Sequence, residues 1–237
     1  MNKKIEQIYS ELISHYQTNL NNIGYLAFGS AARGQEDENS DIDFYIITKK
    51  KPQHYRENFI YKGQRIDILF DSVLELEKYL ENEKNNLRRP VANMIYNSKL
   101  VLAKTGAVIM LMKKSKIVLQ SKIKYSKSEV LMHKYSLDDF LGEAIRDYKT
   151  KNIFAFTLDA QLIIDNSVEL FCKLNNITLT QPREMLNKIF KKDKKFAGLI
   201  REYSAIINSR NRLNSLKKIV KYIYSISNGA LPNKWSV

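Results

Sequence analysis

From about Ala107 to Ser227 the chain carries helical periodicity and almost no strand signal, while every strong strand signal lies before Gly106. A sequence divided in this way cannot build alternating βαβ units along its length, because such units need strands throughout. The pattern predicts an α+β chain: a small mixed β-sheet domain with flanking helices over residues 1–106, then an all-α helical bundle over residues 107–237. Plausible helices of the second part span 107–124, 128–149, 152–175, 183–191, 194–208 and 210–227, with breaks near Ser126, Lys151, the segment Asn175–Pro182 and Asn208-Ser209.

The first part reads in finer grain. Apolar side chains at Ile5, Ile8, Leu12, Ile13, Tyr16 and Leu20 mark one face of a helix over residues 4–20. Gly24 to Phe28 is a short apolar run ended by Gly29-Ser30, as expected of a buried strand, and Ile42 to Thr48 is a second strand rich in β-branched and aromatic residues. Two apolar runs, Phe59–Tyr61 and Ile66–Phe70, flank Lys62-Gly63-Gln64 and predict a hairpin. Ser72 and Glu75 have the spacing of a capping box, so a helix should open there and run to about residue 84. Pro90 fits the first turn of another helix, and Leu100–Ala103 a short edge strand.

Charge separates the two parts as well. Residues 1–103 carry 14 Lys and Arg against 14 Asp and Glu, so the whole formal charge of +14 falls in residues 104–237. An anionic partner, a triphosphate tail or RNA, is one reading of that excess, and a Lys-rich solvated helix surface is the plainer one. No apolar run approaches a bilayer span and the N-terminal stretch lacks the pattern of a signal peptide. The single Cys172 leaves no internal disulfide and suits a reducing compartment, so a cytoplasmic protein without a membrane partner is expected.

The residues that carry chemistry are Gly29-Ser30-Ala31-Ala32-Arg33-Gly34, then Asp41-Ile42-Asp43, then Asp67. A Gly-Ser pair at the end of a buried strand lets backbone N–H groups approach a phosphate, and a helix starting there would add its positive end. Arg33 could give a charge-assisted contact to a phosphate oxygen. Asp41 and Asp43 lie two apart at the start of an extended segment, so both carboxylates point to one side. Asp67 interrupts the apolar run from Ile66 to Phe70. If its strand lies beside that of Asp43, three carboxylates converge, and their mutual repulsion calls for a cation. Oxygen donors in that number suit Mg²⁺ or Mn²⁺, not zinc or copper.

In this order, Gly29-Ser30, Asp41-Ile42-Asp43 and Asp67 resemble the signature of the polymerase-beta-like nucleotidyltransferase superfamily. The forms GSAARG and SDIDF are similar to those of minimal and antibiotic nucleotidyltransferases, over residues 23–70. The resemblance implies transfer of a nucleoside monophosphate, AMP from ATP by default, to an acceptor hydroxyl with release of pyrophosphate. It also implies two Mg²⁺ ions, with Mn²⁺ as a substitute: Asp41 and Asp43 would ligate both, and Asp67 the ion that binds the acceptor oxygen. Gly29, Ser30, Arg33, Asp41 and Asp43 would bind the nucleotide, and Asp41, Asp43 and Asp67 would be catalytic. In some antibiotic-modifying relatives the base is a separate acid of the helical domain, for which Asp138, Asp139, Glu143 and Asp147 qualify by residue type.

The expected acceptor is a small molecule of the antibiotic type, because a helical half can wall a cleft beside the α/β part. The alternatives are a protein or tRNA acceptor docked on the basic helices, and a catalytically idle nucleotide-binding module, against which the intact carboxylate set argues. Arg210-Asn211-Arg212 lacks the following His of the helical nuclease toxins that accompany minimal nucleotidyltransferases. His15, His54 and His133 form no metal spacing, and Cys172 among Leu170, Phe171 and Leu174 is most simply a small buried hydrophobe. Tyr125, Tyr135, Phe140 and Tyr148 fall near helical spacing and are read as core.

Overall fold

The computed structural model of the protein describes residues 3–32, 34, 40–50 and 55–236. The chain divides into two compact units, Met1–Ser121 and Lys122–Val237.

The first unit runs α1 (Lys3–Tyr16), β1 (Asn22–Phe28), α2 (Gly29–Ala32), β2 (Ile42–Thr48), β3 (Tyr55–Tyr61), β4 (Gln64–Ser72), α3 (Val73–Glu83), α4 (Pro90–Tyr96), β5 (Lys99–Ala103) and α5 (Gly106–Gln120). Its five strands form one mixed sheet in the order β3-β4-β2-β1-β5. Only β2 and β4 pair in parallel; the other three ladders are antiparallel. The hairpin turn is Lys62-Gly63, both at positive φ (50° and 75°), the conformation a two-residue hairpin loop requires.

Both sheet faces are apolar, so both must be covered. On one face Ile42, Phe44, Ile46, Ile66, Ile68 and Phe70 pack against Ile5, Ile8, Tyr9 and Leu12 of α1. On the other, Tyr45 and Ile47 meet Leu76 and Leu80 of α3, Ala92 and Ile95 of α4, and Val108, Leu111 and Val118 of α5. Full burial of side chains such as Ile8, Phe44 and Leu111 contributes about 1.5–3 kcal/mol each.

One expectation changes here. The first helix ends at Tyr16 instead of residue 20, and Leu20 is 88% exposed. Asn22 Nδ2 donates to the Tyr16 carbonyl at 2.9 Å, taking one of the acceptors that the helix end leaves over. The buried face of α5 packs on the sheet with α3 and α4, and the first compact unit includes it.

A buried Glu83–Arg89 arrangement ties those helices together. Glu83 accepts from the N–H groups of Val91 and Ala92, both at 2.8 Å, and so caps α4, whose first residue Pro90 has no N–H. Arg89, 2% exposed, donates to the carbonyls of Val118, Leu119 (3.1 Å) and Ser121 (3.0 Å) at the end of α5. Burial pushes the Glu83 pKa up against its two backbone hydrogen bonds, and pushes that of Arg89 down. Arg89→Met should therefore destabilise this unit by about 3 kcal/mol, because it takes the guanidinium donors from the carbonyls of Asn86, Leu119 and Ser121 and leaves Glu83 without a counter-charge. Urea titration followed by tryptophan-independent far-UV circular dichroism checks this; an unchanged midpoint contradicts it.

The second unit is helical: α6 (Lys127–Thr150), α7 (Ile153–Asn175), α8 (Pro182–Lys192), α9 (Lys194–Ala205) and α10 (Ser209–Ile226). Four of these five starts carry a side-chain cap, and α8 opens on Pro182. Ser126 and Glu129 form a capping box on α6, while Asn152, Asp193 and Asn208 cap α7, α9 and α10. Phe171, Phe196 and Tyr222 stack through the core, with centroids 4.3 Å and then 5.8 Å apart. Cys172 is fully buried and its thiol is pushed up to about 12 by that burial. Tyr125 and Tyr135 are not core residues: they stay 40% and 43% exposed, Tyr135 lying against Trp235.

The Glu129 carboxyl is held below the usual carboxylate range, first by the Ser126 N–H and then by Lys173 at 3.0 Å. A depressed folded pKa means stability that is present above the unfolded value and lost as pH falls through the folded one. Glu129→Gln keeps the box but not the charge. It should cost about 0.5 kcal/mol near neutral pH, a modest figure because the pair is exposed, and the difference from wild type should vanish in acid. Urea midpoints at about pH 7 and about pH 3 test the sign.

Candidate active site

The site forms where β1 ends and β2 and β4 begin. Phe28, the last residue of β1, is opposite Asp43, the second residue of β2. The next residue, Gly29, has φ +75°, and a Cβ placed there would lie 1.8 Å from Asp43 Oδ2. The glycine is thus required twice, for its left-handed conformation and because the Asp43 carboxylate fills the space a side chain would take. The helix that follows is a single turn, Gly29–Ala32, so the positive helix end expected at this place is short. Ser30 sits half-buried in it. Arg33 lies outside the described residues.

Asp43 and Asp67 are direct partners in the parallel β2–β4 ladder. In-register partners point to the same face, so these two carboxylates stand side by side. Asp41 precedes β2 by one residue and Asp43 by two, on the same side by the strand period, and Arg65 Nε lies 3.9 Å from its Oδ1. Tyr9 Oη of α1 donates to the Asp43 carbonyl at 3.1 Å, fixing the start of β2 to the helix beneath.

The structure adds a residue that sequence reasoning missed. Arg56 of the edge strand β3 grips Asp67 with both arms, Nε to Oδ1 at 2.7 Å and Nη2 to Oδ2 at 2.6 Å. The acid is the buried partner, its side chain 9% exposed against 59% for the arginine. The Arg56 pKa is raised first by the hydrogen bonds and charge of Asp67, against a little desolvation, and further by the charges of Asp43 and Asp41. One guanidinium therefore sits in the field of all three carboxylates. A signal for it did exist. Counting back from the Lys62-Gly63 turn puts Asn58 opposite Asp67, and Arg56 two residues along the same face.

Among the described residues no three His, Cys, Asp or Glu side chains are drawn into one ligand shell. The donor chemistry nonetheless fits a hard cation, since Asp41, Asp43 and Asp67 offer only oxygen on one face. Here the compensating charge is that of Arg56 on Asp67, with Arg65 beside Asp41. The alternative bases lie on α6 of the helical unit. There Asp147 hydrogen-bonds Asp159 of α7, whose pKa is raised by burial and then by Asp147, and Glu143 pairs with Arg146. His133 is bonded to Asn166, its pKa lowered mainly by burial.

The family model described as "Polymerase beta, Nucleotidyltransferase" matches residues 10–134, more than half of the 237 residues. A nucleotidyltransferase-like protein from Exiguobacterium sibiricum 255-15 is similar in structure at a TM-score of 0.48 and 11% identity, over 94% of this chain and 77% of that one. No curated protein matches the sequence. Among the described residues no helix is long and apolar enough to cross a membrane.

Proposed function

The chain belongs to the polymerase beta nucleotidyltransferase family, and from that premise we propose that it transfers a nucleoside monophosphate, AMP from ATP, to a hydroxyl of a small molecule. The observation that supports this most is the packing of the Asp43 carboxylate over Gly29 with Asp67 in register beside it. That contact joins the phosphate-approach turn to the carboxylate pair, as transfer at an α-phosphorus needs. We assign the catalytic domain to the first unit.

In this reading the backbone at Gly29 and Ser30 receives the triphosphate, with Arg33 as a further phosphate contact. Asp41, Asp43 and Asp67 would hold two divalent cations, Mg²⁺ or Mn²⁺, which when bound neutralise the triphosphate and acidify the acceptor hydroxyl. Asp67 is the carboxylate that takes the acceptor's proton. The acceptor oxygen bonds to the α-phosphorus as the bond to the β-phosphate bridge breaks, and pyrophosphate leaves. The protein contributes position and charge compensation.

The charge of the helical unit bears on the acceptor. Residues 127–175, the α6–α7 hairpin, carry eight Asp and Glu against six Lys and Arg, whereas residues 182–226 carry three against twelve. The basic excess thus spares the hairpin, whose slight acidic balance suits a cationic small molecule. The twelve basic residues of α8–α10 favour a second reading, a tRNA or protein acceptor docked there.

Pyrophosphate release from each of the four nucleoside triphosphates with Mg²⁺, against panels of antibiotics, tRNA and proteins, tests the proposal, with Asp41→Ala/Asp43→Ala as the blank. Release that requires one small acceptor supports it. Stimulation by RNA or protein alone, falling steeply with salt, supports the second reading. Silence in every arm refutes both.

A further inference from the structure

The Arg56–Asp67 pair has a chemistry of its own. Asp67 is 6% exposed and stands in register with Asp43, so two like charges lie side by side in a largely buried place that calls for a positive charge beside them. In this structure that charge is a guanidinium whose two N–H groups occupy both carboxylate oxygens, at 2.7 and 2.6 Å. Such a fork matches a carboxylate in geometry and competes with any other cation for the same oxygens. Its mounting favours departure. β3 is an edge strand, the Arg56 side chain is 59% exposed, and withdrawing it into water costs little desolvation. The acid, by contrast, is locked in the ladder between β2 and β3.

We propose that Arg56 is the resident counter-ion of this carboxylate site: its guanidinium holds Asp67 until a divalent cation displaces it, so the two cations exclude one another at that carboxylate. The inference rests on the reading of Asp41, Asp43 and Asp67 as a cation site. Arg56 thereby sets how much free divalent cation the protein needs. It holds the buried acid in place, and it opposes ion entry by charge and by occupancy. It is a positioning residue, since it acts through Asp67.

Mn²⁺ binding to the full chain, followed by electron paramagnetic resonance of the free ion, reads this without turnover. Arg56→Gln should bind Mn²⁺ roughly tenfold more tightly than wild type, because a charge-assisted pair no longer has to be broken. Arg56→Lys, which restores the charge without the fork, should fall between the two. In an Asp67→Asn background the change at position 56 should have almost no effect. Equal or weaker binding by Arg56→Gln overturns the proposal and makes Arg56 a support for the ligand. Absence of Mn²⁺ binding by wild type and Arg56→Gln alike overturns the proposal together with the cation-site reading on which it rests. A cooperative thermal transition of Arg56→Gln that lies above the assay temperature, with an unchanged far-UV circular dichroism spectrum, confirms that the comparison is between folded proteins.

Discussion

Asp43→Asn is expected to lower acceptor-dependent pyrophosphate release by about a thousandfold or more while leaving the protein folded. The amide has the size and shape of the carboxylate, so it fits over Gly29, where a Cβ would come within 1.8 Å of Oδ2. What it lacks is the negative charge that holds a cation against the triphosphate. Removing one of several like charges on one face relieves repulsion, so the urea midpoint should shift by less than about 1 kcal/mol in either direction. Asp67→Asn separates the two effects. It loses the charge-assisted bidentate pair with Arg56 as well as the charge, and should lose stability along with activity. Steady-state kinetics and urea unfolding of the two variants, side by side, check this. Turnover by Asp43→Asn within tenfold of wild type would remove Asp43 from the catalytic set.

Gly29→Ala is the second large effect. A single methyl group there collides with the Asp43 carboxyl, so either that side chain or the turn must move by more than an ångström. A displacement of that size at a catalytic group costs about a hundredfold in rate. The methyl group also meets the left-handed conformation at φ +75°, which adds roughly 1–2 kcal/mol of backbone strain. Loss of activity with modest loss of stability is the expected pattern, read from pyrophosphate release and a thermal transition. The contrast is Gly63→Ala, at the same φ of +75° but with nothing within 4 Å of its Cβ. That variant should show the strain without the hundredfold loss of rate. Should both glycine variants lose activity equally, the packing of Asp43 on Gly29 is not what matters.

Sequence alone determined the local terms. Periodicity named the helices from α6 to α10 and the strands β1, β2 and β4 within a few residues, because side-chain spacing reports directly on backbone pitch. The two-residue spacing of Asp41 and Asp43 placed them on one side with no need of a fold. The tertiary structure decided everything that depends on register between segments distant in sequence. Nothing local says that β4 lies parallel to β2, or that Asp67 stands opposite Asp43 when a shift of one residue would turn it to the other face. That register is set by packing Ile66, Ile68 and Phe70 against α1, a long-range condition. The Asp43–Gly29 contact, the Arg56–Asp67 pair and the membership of α5 in the first unit follow from the same packing. Composition and spacing could name the three carboxylates. Only the assembled sheet could bring Asp43 and Asp67 together, and show which side chain stands beside Asp67.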